Sequence, residues 1–394
     1  LVGNGKINSS RFYYTPDLYS INNGGYFFGV NLNTRGYSAS ESTKHNPNVT
    51  WEKAFKQDYG IDVHFFNDRL STTFDYYLER RKDLFCSDKT APTIIGFTVP
   101  QANLGETKSW GWELSTKWRD KIGKNFSYWV GVNLSYNQSE IIEAKEEPQS
   151  NAYRMKKGHR IGADKTAGYK FFEYFSENTA ANYEKIYGEP FPTQLVSNLR
   201  PGDCTYVDLN HDGKIDSQDN SLELGFTEDP EYTLGLNLGF SWKRLSVNTQ
   251  WTGAWNVSRV LGGVFRYPFY TASTYEQGGL LKYQVYNSWT EDTPDPNAKY
   301  PRVSLDHGKA NNYQNTDLYM VDAKYLRLKT LQITYDFDFP FMKKIGLTNL
   351  QLGLSGYNLL TFTPFIWGDP ETRVDDGPSY PLQRTYTMTL KVGF

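Results

Sequence analysis

Large apolar residues alternate with small polar ones over most of this chain. In residues 382–394, Tyr386, Met388, Leu390, Val392 and Phe394 point one way, and Thr385, Thr387, Thr389, Lys391 and Gly393 point the other. In residues 232–242 the large set is Tyr232, Leu234, Leu236, Leu238, Phe240 and Trp242, with Thr, Gly, Asn, Gly and Ser between them. Phe126, Tyr128, Val130, Val132, Leu134 and Tyr136 repeat the pattern against Ser127, Gly131, Asn133 and Ser135, with Trp129 as the exception. Leu350, Leu352 and Leu354 do so against Gln351, Gly353 and Ser355. Period 2 sustained this long exceeds an ordinary soluble strand. It suits a tilted membrane strand with lipid on one side and a wet lumen on the other.

Short and long connections alternate. Asn67-Asp68 joins strands expected over 51–66 and 69–83, residues 120–124 join 107–119 to 125–137, Lys243-Arg244 joins 229–242 to 245–261, and 340–346 join 323–339 to 347–361. Between these hairpins lie long stretches at 84–106, 138–228, 262–322 and 362–380. Outer-membrane barrels have short periplasmic turns and long extracellular loops. The expected fold is therefore all-β, a transmembrane antiparallel β-barrel in the bacterial outer membrane, with the C-terminus periplasmic and the outward rows in contact with membrane lipid.

Two segments strain this scheme. Residues 164–177 could form a strand, but the directions of the flanking strands admit none or two there, so the segment is placed in an outer loop. In 325–335, Leu326 and Leu328 are on one phase and Leu331, Ile333 and Tyr335 on the other. A β-bulge near Lys329 reconciles them; without it Arg327 and Lys329 would face lipid, at roughly 2–4 kcal/mol each near the midplane. With a first strand near 26–32, the count is about ten. The chain opens at Leu1 within Gly/Asn/Ser-rich sequence, and we expect it to be the C-terminal portion (1–394) of a larger barrel whose missing strands and plug lie upstream, because open sheet edges in lipid leave backbone groups unpaired.

Composition agrees. No run of 18 apolar residues exists, so no transmembrane helix is available. Aromatics reach 16%, with 30 Tyr and 24 Phe, residues suited to surfaces that are dry on one side and wet on the other. The net charge of -2 gives no argument for nucleic acid. Cys86 and Cys204 are the only cysteines; a disulfide in an oxidising compartment and two unrelated thiols are both open.

Several stretches resemble the SusC/RagA family of TonB-dependent outer-membrane transporters of Bacteroidetes. They are Asn46-Pro-Asn-Val-Thr-Trp-Glu-Lys53, Gly60-Ile-Asp62, Phe66-Asn-Asp-Arg-Leu70, Asp75-Tyr-Tyr77, Lys82-Asp-Leu84, Asn103-Leu-Gly-Glu106 with Gly111-Trp-Glu-Leu114, Pro201-Gly-Asp203 followed by 208–219, Asn297-Ala-Lys-Tyr-Pro-Arg302, Tyr325-Leu-Arg-Leu-Lys329 and the terminal Phe394. Ser109-Trp110 stands where Asn-Lys is commoner, and His211 where Gly is usual. The resemblance implies a 22-stranded barrel with an N-terminal plug and a TonB-contacting segment. It also implies a SusD-like surface lipoprotein as lid, and energised import of large nutrients, oligosaccharides for the most part and peptides in some members.

Residues 208–219 fit an EF-hand-type calcium loop. Asp208, Asn210, Asp212, Asp216 and Asp219 fall at ligand positions, Lys214 offers its backbone carbonyl, and Gly213 permits the sharp bend. Ca²⁺ takes six to eight hard oxygens, which alternate positions in a tight turn supply. Asp219 replaces the usual Glu, and a shorter carboxylate reaches the ion less well. An Asp/Asn/Gly turn without metal is the alternative.

In 262–322 and the last loop, Tyr267, Tyr270, Tyr275, Tyr286, Trp289 and Trp367 are candidates for contact with a sugar substrate, among further rings at Phe265, Phe269, Tyr283 and Phe365. Flat rings with polar tips suit sugar faces, but the same rings could pack the loops or meet a protein lid. No HExxH, GxSxG or P-loop is present, so no enzyme is expected. A passive porin or adhesin, a barrel-bound hydrolase and a calcium-dependent soluble lectin are the competing readings. Long aromatic loops argue against the first, a missing nucleophile–base pair against the second, and outward apolar rows against the third.

Overall fold

The computed structural model describes residues 2–3, 18–22, 26–32, 34–43, 45–92, 94, 99–270, 278–304, 311–341, 346–372 and 382–394. In chain order the strands are β1 (Val2–Gly3), β2 (Leu18–Asn22), β3 (Phe27–Phe28), β4 (Thr34–Arg35), β5 (Ser38–Thr43), β6 (Lys53–Phe65), β7 (Leu70–Cys86), β8 (Ala102–Ile122), β9 (Phe126–Glu143), β10 (Phe171–Tyr174), β11 (Cys204–Tyr206), β12 (Tyr232–Trp242), β13 (Leu245–Trp255), β14 (Ser258–Val260), β15 (Met320–Asp322), β16 (Tyr325–Phe337), β17 (Asn349–Phe362) and β18 (Thr385–Gly393). Among the described residues three short α-helices lie between them: α1 (Thr179–Tyr187), α2 (Gly263–Arg266) and α3 (Lys282–Asn287).

One sheet holds ten strands in the order β1-β6-β7-β8-β9-β12-β13-β16-β17-β18. The short turns between β6 and β7, β8 and β9, and β12 and β13 make those neighbours antiparallel hairpins, while the other neighbours pair across longer connections. Several strands outrun their expected ends. β8 has 21 residues and β9 has 18, far more than the roughly 9–11 that cross hydrocarbon, so both project beyond it.

The tenth strand is not where the sequence placed it. Residues 26–32 stay outside the large sheet; Phe27–Phe28 pairs only with Thr34–Arg35, inside a hairpin whose outer arms are β2 and β5. Val2–Gly3 takes the position beside β6, with Val2 opposite Ala54. The Gly29 turn (φ 93) folds the 26–32 run back on itself too soon for a membrane crossing. Residues 164–177 join no large sheet either; β10 and β11 form a two-stranded sheet among the loops.

The chain divides into two compact units, residues 1–58, 77–110 and 139–161, and residues 59–76, 111–138 and 162–394. In the first, side chains from the Asn46–Lys53 stretch lock onto the next hairpin. Asn103 Nδ2 donates to Thr50 O and Asp83 O at 2.8 and 2.7 Å, the Thr50 N–H returns a bond to Asn103 Oδ1, and Lys53 pairs with Asp83 at 2.6 Å.

In the second unit the register aligns all the large rows. Leu236 sits opposite Val132 and Trp251, Phe240 opposite Tyr128 and Val247, and Ile333 opposite Val247 and Leu354, while Leu354 faces Met388. Tyr386, Met388 and Leu390 of the edge strand β18 are 75%, 73% and 62% exposed, so its apolar row has no protein cover. The bulge lies where the phase change requires it. Register slips between Leu328 and Thr330 against β13, which leaves Lys329 as the extra residue and keeps both Leu328 and Leu331 on the apolar face, while β17 places Asn358 and Leu359 opposite Lys329. Trp129 also finds its reason. It sits opposite Gly239, where an added Cβ would come within 2.1 Å of the indole, so the glycine makes room for a large ring on the polar face. Cys86 and Cys204 are both free thiols, the second fully buried.

Candidate functional site

The face opposite the apolar rows is the first candidate surface. Register places Ser127, Ser241, Ser246, Thr334, Gly353 and Thr389 in one row across six strands. The next row holds Trp129, Gly239, Asn248, Gln332, Ser355 and Thr387, and the next Gly131, Asn237, Gln250, Thr330, Tyr357 and Thr385. No side chain in these three rows is charged. Neighbours bond each other, Ser241 to Ser246 at 2.6 Å and Trp129 Nε1 to Asn248 Oδ1 at 3.3 Å.

At the other end of these strands, charge returns in a clamp. Arg327 is 1% exposed and donates to Asp369 Oδ2 at 2.6 Å, Glu371 Oε2 at 2.5 Å and Thr361 Oγ1 at 3.1 Å. Lys329 Nζ and the Tyr325 hydroxyl reach Glu371 at 3.2 and 3.0 Å. The polar half of Tyr325-Leu-Arg-Leu-Lys329 thus holds the last loop, while its leucines face away. A fully buried guanidinium needs such a set of acceptors.

The loops have cores of their own. Val257, Leu261, Tyr300, Tyr313, Tyr319, Ala323 and Phe365 form one buried cluster, with Phe265, Tyr267, Tyr283 and Trp367 packed against it. Buried Arg266 lies over the Tyr267 and Tyr319 rings, 5.2 and 5.3 Å from their centres, and donates to Tyr313 O and Asn315 Oδ1. A second cluster gathers Tyr174, Cys204, Tyr206, Ile215, Trp289 and Ala298.

The expected sugar-contacting rings therefore separate. Trp289 is a core residue, 9% exposed, seated on Gly202, where a Cβ would come within 2.0 Å of the ring. Trp367 donates Nε1 to Tyr300 Oη at 3.0 Å, and Tyr267 stacks on Tyr270 at 5.9 Å; all three are half-buried at the edge of the first cluster. Tyr286 is 74% exposed on α3 beside Lys282. Tyr275 lies outside the described residues. Only Tyr267, Tyr270 and Trp367 are brought near one cluster.

In residues 208–219, Asp208 and Asp219 are buried and Asp212, Asp216, Asn210 and Lys214 lie nearer solvent. Asp208 accepts from His211 N and Gly213 N, both at 2.7 Å, and Asp219 from Leu209 N and Asp216 N at 2.9 and 2.8 Å. Lys214 Nζ rests on Asp216 Oδ2 at 2.7 Å, and Asn210 donates to Asp212. Burial first, and Asp208 beside it, push the Asp219 carboxyl above its ordinary range despite those backbone donors. Among the described residues no three acidic, His or Cys side chains converge as a ready metal cage. His211 bonds Glu189 at 2.9 Å, which raises the imidazole's affinity for its proton.

Residues 6–359 match the family described as TonB dependent receptor-like, beta-barrel. TonB-dependent receptor P3 of Formosa agariphila is 27% identical, across 89% of this chain and 35% of that protein. TonB-dependent receptor SusC of Bacteroides thetaiotaomicron is 24% identical, across 97% of this chain and 36% of that protein. The chain thus spans about a third of the length of these curated relatives. Among solved structures, the RagAB peptide transporter superposes with a TM-score of 0.67 at 21% identity, over 100% of this chain and 39% of that one, a likeness of fold.

Proposed function

We propose that this chain, which belongs to the TonB dependent receptor-like, beta-barrel family, forms the C-terminal wall of an outer-membrane importer of oligosaccharides. In this reading the TonB complex supplies energy through an N-terminal plug portion, a SusD-like surface lipoprotein caps the long loops, and the short turns and C-terminus are periplasmic. The family is one of receptors and not of enzymes.

The observation that carries the reading is the two-faced register: aligned apolar rows on one side, and three uncharged rows of Ser, Thr, Asn and Gln on the other. The first needs hydrocarbon. The second offers hydroxyl-rich cargo hydrogen bonds without trapping it by charge. Uptake of labelled oligosaccharides by cells carrying the full-length protein, with and without TonB, is the test. TonB-independent leakage would mark a passive pore instead. The likeness in fold to a peptide transporter favours oligopeptides as the second reading, and peptide uptake in place of sugar uptake would select it.

Ca²⁺ bound by Asp208, Asn210, Asp212, Asp216, Asp219 and the Lys214 carbonyl is part of the proposal. Two buried like-charged carboxylates would gain from a divalent ion, and Lys214 Nζ would leave Asp216 to admit it. The ion would staple an outer loop. Calcium titration of the wild type against Asp212→Ala tests this; equal binding by both ends it.

A further inference from the structure

In the second unit the apolar face ends, toward the short turns, in a band of rings. Trp242 lies opposite Phe126 and Leu245, and Phe126 stacks on Phe240 with ring centres 6.0 Å apart. On β16, Tyr335, Phe337, Phe339 and Phe341 form a ladder with centres 4.9, 5.5 and 5.6 Å apart, which runs on past the end of the strand. Trp242, Phe339 and Phe341 are 53%, 42% and 54% exposed. At the far end of β12, Tyr232 meets Tyr136 at 4.7 Å. The 11 residues between these two levels rise about 25 Å at a tilt of about 40°, the height of the apolar band of an outer-membrane barrel. Aromatic rings collect where hydrocarbon gives way to headgroups. The Trp242 level is therefore a headgroup level.

Two lysines stand at that level. Lys243 Nζ lies over the Trp242 ring, 5.4 Å from its centre, on the apolar face. The Lys243 N–H donates to Asn125 O at 2.8 Å, which ties its turn to the one that carries Lys124. Both lysines are exposed, and among the described residues neither forms an ion pair. The neighbouring charges are already matched, Arg244 by Asp338 and Asp120 by Arg69 at 3.3 Å. Two cations without counter-ions thus border an apolar face. β9, β12 and β13 have strands on both sides in the sheet, so further strands upstream would add only at its edges. The apolar face is turned away from the polar rows, so a plug on the lumen side does not cover it.

From this geometry we infer a site for an anionic phospholipid in the leaflet beside the short turns, with Lys124 and Lys243 meeting its phosphate and Trp242, Phe240 and Phe126 meeting its glycerol and chains. The inference rests on the reading of the apolar rows as lipid-facing and says which lipid they select. A zwitterionic lipid brings its own ammonium group to the two lysines and loses the gain; an anionic one supplies the missing counter-charge.

The test uses the full-length protein in phosphatidylcholine bilayers, with a fluorophore on Val247→Cys, opposite Phe240, or on Leu234→Cys, near the far end of the same face. At low salt, phosphatidylglycerol with brominated chains should quench the Val247 reporter at a mole fraction roughly tenfold below that needed with brominated phosphatidylcholine, and the advantage should shrink as salt rises. Lys124→Gln/Lys243→Gln should abolish the advantage, and Lys124→Arg/Lys243→Arg should keep it. The Leu234 reporter should show none. Equal quenching of the Val247 reporter by the two lipids, or an advantage that survives in the glutamine variant, overturns the proposal and leaves the lipid-facing reading intact. An advantage at Leu234 in place of Val247 gives the anionic lipid to the opposite leaflet and also overturns it. Quenching by neither lipid at either position refutes the lipid-facing reading, and the proposal falls with it.

Discussion

Arg302 and Asp203, 99 residues apart, meet in a salt bridge whose Nε–Oδ1 distance is 2.5 Å. The Arg200 N–H and Asn312 Nδ2 also donate to Asp203, at 2.8 and 2.9 Å, so one buried carboxylate ties the Pro201-Gly-Asp203 turn to residues 302 and 312. Two sequence motifs separated by two strands of the large sheet thus form one knot. Arg302→Met leaves Asp203 buried with neutral donors alone, at a cost of about 2–4 kcal/mol. Hydrogen exchange should show faster opening of residues 200–206 and 311–313, with β12 and β13 unaffected. Unchanged protection would mean the knot contributes nothing.

The bulge at Lys329 is predicted to matter through the phase it sets, not through the lysine's charge. Lys329→Ala keeps the bulge and should assemble normally. Deleting Lys329 alone leaves Leu328 and Leu331 separated only by Thr330, a regular alternation that keeps the leucines on the apolar face, and should also assemble. Deleting Lys329 and Thr330 together makes Leu328 and Leu331 neighbours and forces either Arg327 and Tyr325, or Gln332 and Thr334, toward lipid, where an arginine costs roughly 2–4 kcal/mol near the midplane, beyond the loss of its clamp on Asp369 and Glu371. Heat-modifiable migration in gels reads assembly. A variant lacking both Lys329 and Thr330 that assembles like wild type would refute the role given to the bulge.

Gly239→Ala should displace the Trp129 indole, since the new Cβ would lie 2.1 Å from it. A shift in the fluorescence of this tryptophan, in comparison with Trp129→Phe, checks the displacement. Gly202→Ala should do more harm, because its φ of 84° adds backbone strain to the clash with Trp289.

The raised carboxyl of Asp219 sets a pH dependence. A group bound more tightly to its proton in the folded state contributes stability below its ordinary carboxylate value, and that contribution is lost as pH rises through the raised folded value. The 208–219 loop should therefore resist proteolysis better in mild acid than at neutral pH. Calcium should restore resistance at neutral pH, and Asp219→Asn should flatten the pH response. A loop equally resistant at both pH values without calcium would contradict this.

The strands were legible because the physics that selects them is local. Lipid on one face imposes period 2 on every crossing, and the phase change between Leu328 and Leu331 exposed the bulge as well. The partners of Arg327 were not legible, since nothing near residue 327 signals Asp369 or Glu371 in a loop more than 40 residues away. Trp289 and Tyr286 look alike in sequence as loop aromatics three residues apart. One is core and the other exposed, because Gly202 offers a seat to the first alone. Likewise the short run 26–32 has strand composition, yet its pairing partner is decided by the turn at Gly29.

The central claim is that β12 separates hydrocarbon from an aqueous space, and cysteine scanning across residues 233–238 tests it most directly. Cys204 is fully buried, and Cys86→Ser removes the other thiol of this chain. In the full-length protein in membranes, cysteines at 233, 235 and 237 should react with a membrane-impermeant maleimide, while fluorophores attached at 234, 236 and 238 should be quenched by brominated lipid. Quenching at the odd positions, or equal aqueous labelling at all six, would contradict the account.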